Sequence, residues 1–172
     1  GVMTSLDTLA SYESDLNILS MAFAFDSYED MIAYLKSDLG ASIWESLDNQ
    51  GMHVVNFEFK KNPRIFFAKF PINSPADMKG MKYRIPNLPI FEKNARAMGA
   101  MPTVVSWSEF PFALMQGVVD GGEGSKDSYR SAGLYESAKY VADVDYAYPV
   151  EQICFSTQFW NSLSADDQKV IE

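Results

Sequence analysis

With 172 residues, 47% of them hydrophobic and 22% charged, the chain can bury a core of one or two domains, which excludes disorder, collagen-like repeats and coiled coil. The 14 Lys plus Arg against 23 Asp plus Glu give a formal net charge of −9, so a phosphate backbone repels the molecule as a whole and no nucleic-acid partner is expected. Apolar stretches such as LNILSMAFAF fall short of the roughly 20 residues of a bilayer-crossing helix, so no membrane insertion is expected.

The N-terminal GVMTSLDTLA lacks the basic segment, apolar core and small-residue cleavage site of a secretory leader, so compartment is not legible there. Ser27 with Asp30 predicts a helix start ahead of YEDMIAYLKSDLG, and ASIWESLDNQG predicts a second helix closed at Gly51. The period then changes: MHVVNFEF and RIFFAKF, divided by KKNP, read as strand, turn, strand. SPADMKG is a Pro- and Gly-punctuated turn leading into the strand MKYRIP, stopped by Pro86. Asn87 and Pro89 suit the start of a helix ending at Gly99, and PTVVSW returns to strand. Ser108 is expected to cap SEFPFALMQG, with Pro111 in its first turn. VVDGGEG reads as strand into a glycine turn, SYRSAGLYESAKYV as helix and YAYPVEQICFS as extended. Ser164 with Asp167 has the shape of a capping box before a helix that ends after two turns, which predicts a longer helix continuing downstream.

Alternating strands and helices predict an α/β fold with a largely parallel sheet, whose ligands gather at the carboxyl ends of the strands. Arg64, opening RIFFAKF, and Arg84, near the end of MKYRIP, both fit such a place. A guanidinium presents a planar fork that matches a carboxylate with two parallel charge-assisted hydrogen bonds. The bland alternative is an arginine whose stem packs while its head reaches water. The lone His53 and lone Cys154 leave no metal-ligand cluster and no catalytic triad, and Cys154, between Ile153 and Phe155, reads as a buried small apolar residue. Asp120, Glu123 and Glu109 are the residues an enzyme would use as an acid–base group or for a divalent cation. No phosphate loop, H-E-x-x-H or G-x-S-x-G accompanies them. Asp120 before two glycines reads first as a turn former.

The order of motifs, SPADMKGMKYRIPN, MGAMP, SEFPFALMQGVVDGGEG, LYESAKYV and FWNSL, resembles the DctP-type solute-binding proteins of tripartite ATP-independent periplasmic (TRAP) transporters. The resemblance runs through nearly the whole chain, and four hallmark blocks occur in register. It implies a two-lobed fold of the periplasmic-binding-protein class II type, with residues 1–61 in lobe one, 62–149 in lobe two and 150–172 returning into lobe one. Family members extend further at both ends, so it also implies a chain truncated at both ends, with an incomplete first lobe open to association with another chain.

By the same resemblance, the carboxylate-binding arginine falls on Arg84, a second arginine on Arg64, and the aromatic wall over the ligand on Trp107, whose plain reading is a core or interface aromatic. Glu123 matches the family and either orients an arginine or touches ligand. Gly124 stands where many members carry asparagine, which leaves the substrate's identity open. The implied function is periplasmic or extracytoplasmic capture of a small organic acid in an interlobe cleft and its delivery to TRAP permease subunits, with no cofactor, no metal and no catalysis. A ligand-sensing domain of the same fold, or a carboxylate-dependent enzyme, are the alternatives.

Overall fold

A computed structural model describes residues 1–171. In chain order the elements are β1 (Val2–Ser5), α1 (Tyr28–Leu35), α2 (Asp38–Asn49), β2 (Met52–Lys60), β3 (Arg64–Ala68), β4 (Lys82–Ile85), α3 (Pro89–Ala97), β5 (Met101–Val104), α4 (Phe110–Met115), β6 (Gly121–Ser125), α5 (Lys126–Ser131), β7 (Tyr140–Ala147), β8 (Val150–Ser156), α6 (Thr157–Ser162) and α7 (Ala165–Ile171), with short 3-10 turns between some of them. They divide into two units: Gly1–Leu19, Phe25–Lys61 and Tyr148–Glu172 form the first, and Ser20–Ala24 with Asn62–Ala147 form the second.

The first unit is built on a three-stranded antiparallel sheet, β1-β8-β2. Met31 and Leu35 of α1, and Ile43 and Leu47 of α2, recur at four-residue spacing, so each helix turns one apolar stripe inward, where they pack with Leu6, Leu16 and Val150. Side-chain caps start both helices: Ser27 accepts from the Asp30 N–H at 3.1 Å, and Ser37 accepts from the Gly40 N–H at 3.4 Å. The cap at Ser37 ends the first helical pattern earlier than expected, because DLG already belongs to α2.

The second unit holds a five-stranded sheet in the order β5-β4-β6-β3-β7. β4 runs parallel to β5 and β6, while β3 is antiparallel to β6 and β7. β3 reads as a continuous apolar run because both its faces are covered. Phe66 and Ala68 join Tyr83, Ile85, Phe91, Ala95 and Tyr146 on one side, and Ile65 and Phe67 join Phe110, Leu114, Val119 and Leu134 on the other.

The sheets depart from the expected parallel arrangement: one is antiparallel and the other mixed, because strands that carry the chain between units need not follow the βαβ rule. β2 and β3 are therefore not a hairpin but belong to different sheets. The expected glycine turn after VVD is β6 itself, buried throughout. A Cβ on Gly121 would stand 2.2 Å from the Phe67 carbonyl oxygen, so only glycine lets these two backbones meet. The long helix expected over SYRSAGLYESAKYV stops at Ser131, since Gly133 takes a left-handed conformation at φ 65° and the chain then enters β7. Neither Asn87 nor Ser108 caps a helix: α3 starts behind Leu88 and α4 behind Glu109, each with proline in its first positions. Ser164 does cap α7, accepting from the Asp167 N–H at 3.2 Å. Finally, Ser20–Ala24, expected with lobe one, groups with the second unit. The Asn94 side-chain amide donates to the Ser20 carbonyl at 2.7 Å, and the Phe23 N–H donates to the Tyr146 carbonyl at 2.8 Å.

Candidate functional site

In β4, Tyr83 and Ile85 face one core, so the alternation of the strand sends Arg84 to the opposite face. It lies beside Gly122 of β6, where a Cβ would stand 3.2 Å from the Arg84 Cβ. The arginine is 4% exposed. Its guanidinium packs against the rings of Trp107 and Phe110, at 5.3 and 5.2 Å from their centroids, and its Nε donates to the Val105 carbonyl at 2.8 Å. Burial pushes the guanidinium down from the ordinary arginine range, and the charge of Glu123 works the other way.

Glu123, 1% exposed, projects from β6 toward the other arginine. Arg64 Nη1 donates to Glu123 Oε2 at 2.5 Å, and the Tyr146 hydroxyl donates to the same oxygen at 2.8 Å. Glu123 Oε1 is buried with no hydrogen-bond partner among the described residues, and Arg84 Nη1 stands 3.9 Å from it. Tyr83 and Tyr146 are pushed well above the ordinary phenol range, by burial first and then by the carboxylate's charge. The arrangement sets the buried Arg84 and Glu123 beside the partly buried Arg64; Arg64 is closely paired with the carboxylate, and Arg84 hydrogen-bonds through its Nε to the Val105 carbonyl.

The structure brings Arg64, Arg84 and Glu123 together and places the Trp107 ring over Arg84. Gly124 lies under the same ring, its missing Cβ 3.1 Å from the indole edge. Trp107 itself is 37% exposed, which removes the core half of its plain reading and leaves an interface aromatic or a wall over the ligand. The alternative carboxylate group does not assemble. Asp120 accepts from the Lys82 backbone N–H at 3.0 Å, Glu109 accepts from the Ser106 hydroxyl at 2.6 Å, and no group of three or more His, Cys, Asp or Glu among the described residues could hold a metal ion. His53 lies 2.8 Å from Asp48 and stacks on Trp160, and Cys154 is buried and unbridged. Sequence reasoning missed Tyr146, Phe110 and Phe23. Tyr146 carries no local motif, since its partner Glu123 is distant in sequence, and Phe23 sits in the apolar stretch LNILSMAFAF, for which no element is predicted.

Comparisons with known proteins place the chain in a family. Residues 1–172 match the family described as bacterial extracellular solute-binding protein, family 7 (DctP). The chain belongs to the DctP family. A solute-binding protein of Roseobacter denitrificans is 30% identical to it over 165 residues, covering 96% of this chain and 51% of that protein. The C4-dicarboxylate-binding periplasmic protein of Rhodobacter capsulatus is 27% identical over 158 residues, covering 92% of this chain and 47% of that protein. Among solved structures, a TRAP periplasmic solute-binding protein of Roseobacter denitrificans with bound β-D-glucuronate superposes with a TM-score of 0.91 at 28% identity, covering 98% of this chain and 56% of that one. One from Ochrobacterium anthropi with bound L-fuconate gives 0.89 at 32% identity, covering 98% and 56%. This DctP chain therefore has the α/β architecture of the two-lobed periplasmic binding proteins and spans about half the length of the curated relatives it matches. The family is one of extracytoplasmic solute-binding proteins, not of enzymes, and no helix among the described residues is long and apolar enough to cross a membrane.

Proposed function

We propose that this DctP chain captures a small organic acid outside the cytoplasm for a TRAP permease, holding the ligand's carboxylate on Arg84. The observation that carries the reading is the state of that side chain: it is buried, backed by two aromatic rings, and fixed through Nε to a backbone carbonyl. Fixing Nε orients the planar fork without occupying its terminal nitrogens, so the cost of ordering an anion's partner is met before the ligand arrives. Arg64 holds Glu123, which keeps that carboxylate from closing fully on Arg84: the distance to it is 3.9 Å, beyond hydrogen-bond range. Low exposure strengthens a charge-assisted pair, because little water competes for either partner. The acids carried by the glucuronate- and fuconate-bound neighbours, and the dicarboxylate relative, support a carboxylate as the recognised group.

Truncating the clamp leaves a desolvated carboxylate unpaired, a loss of about 3–5 kcal/mol, or roughly a hundred- to several-thousand-fold in affinity. Titration calorimetry of Arg84→Ala against the acid that binds the wild type checks this, and unchanged affinity refutes the role. Arg64→Ala acts through Glu123 and lowers affinity less.

A further inference from the structure

Resting on the carboxylate reading, we infer that Trp107 and Gly124 make this site selective for a monocarboxylate with an apolar or aromatic body over a dicarboxylate or a polyhydroxylated acid. Charge comes first. Two guanidiniums and one carboxylate leave the cluster with a single net positive charge, since Arg64 is paired with Glu123 at 2.5 Å. One free guanidinium balances one carboxylate. A second acidic group would enter a desolvated neighbourhood with no uncompensated cation in the second unit's cluster to meet it.

The surface beside that guanidinium is apolar. The rings of Trp107 and Phe110 lie over Arg84, and glycines stand at 122 and 124 of β6, so neither strand position offers a hydrogen-bonding side chain. At 124 the vacant Cβ position is 3.1 Å from one atom of the Trp107 ring edge and 3.4 Å from another, so the indole occupies the space a polar side chain would need. Beside Trp107 in the chain, the Ser106 hydroxyl donates to Glu109 at 2.6 Å and lies 3.2 Å from the Ser108 hydroxyl. A second exposed ring bears on Glu123 only through Tyr146. Phe23, 62% exposed, packs edge-on against Tyr146, the tyrosine that donates to Glu123, with ring centroids 6.3 Å apart. Its φ of 59° is a left-handed conformation that a bulky residue adopts only when its surroundings impose it. A sugar acid brings several hydroxyls that each need a partner once water is removed, and the indole face and the two glycines supply none. A ring or branched alkyl body needs no such partner and gains from contact with the indole.

Calorimetry on the full-length protein with 3-phenylpropionate, D-glucuronate and succinate tests this. The expected result is that 3-phenylpropionate binds at least tenfold more tightly than either of the others. Gly124→Asn, which pushes on the indole and adds an amide, narrows or reverses that order, and Trp107→Ala weakens 3-phenylpropionate at least tenfold while leaving the melting curve cooperative. Tighter binding of succinate or D-glucuronate than of 3-phenylpropionate, abolished by Arg84→Ala, overturns the selectivity and leaves the carboxylate clamp standing. No binding by any of the three overturns the selectivity alone, whereas binding of 3-phenylpropionate that survives Arg84→Ala brings down both.

Discussion

Glu123 is the residue on which the cluster's electrostatics turn. One of its oxygens accepts from both Arg64 and Tyr146, so the carboxylate is oriented by a guanidinium and a phenol from different strands, while the other oxygen points into a buried space beside Arg84. Tyr146→Phe removes one hydrogen bond to a charged group and destabilises the fold by about 1–3 kcal/mol, as read by urea unfolding at neutral pH. The same phenol governs the alkaline limit. Buried beside an anion, Tyr83 and Tyr146 hold their protons in the folded chain well beyond the pH at which free phenols release them. Up to about pH 9, a unit below the ordinary phenol pKa, both folded and unfolded chains keep these protons and the two groups give no pH dependence. Above it the unfolded chain binds fewer protons than the folded one, so stability falls with rising pH until the folded-state phenols also ionise. Urea midpoints measured from pH 8 to 11.5 check this, and the decline is shallower in Tyr146→Phe, which has lost one of the two groups.

Among the elements, β6 was the hardest to see. Glycine weakens a strand interior and usually marks a turn, so VVDGGEG reads as a strand that gives way to a turn at its glycines; packing overrides propensity because Gly121 sits against the backbone of β3 and Gly122 against Arg84 and Phe110. Gly121→Ala puts a methyl where the Phe67 carbonyl oxygen and the Met81 side chain already are, so β6 must move away from β3. The expected cost is at least about 1–3 kcal/mol, together with lost ligand affinity, measured by chemical denaturation and calorimetry on the same variant. Where local chemistry decides, the sequence was readable: the caps at Ser27 and Ser164, the four-residue spacing in α1, and the two arginines on strands. Where a partner lies far along the chain it was not. Nothing near Tyr146 announces Glu123, and nothing in SMAFAF announces that Phe23 meets Tyr146, because a side chain's neighbours across a sheet leave no trace in its own periodicity. The expected hairpin at KKNP failed for the same reason: short range the two strands look like partners, and only the pairing of each with a distant strand separates them.

At the scale of the molecule, the first unit is assembled from three separate stretches, and β8, its middle strand, comes from residues 150–156. β1 and β2 do not touch each other in that sheet; both pair with β8. A polypeptide emerging in order of synthesis therefore presents all of the second unit, Ser20–Ala24 and Asn62–Ala147, before the strand that joins β1 to β2 exists. Nascent chains arrested after Ala147 should show protected amides in β3, β4 and β6 and fast exchange in β1 and β2, as read by pulsed deuterium labelling. The arginine–glutamate cluster lies wholly in that earlier-finished unit, so Arg64, Arg84 and Glu123 can be brought together before β8 has been synthesised at all.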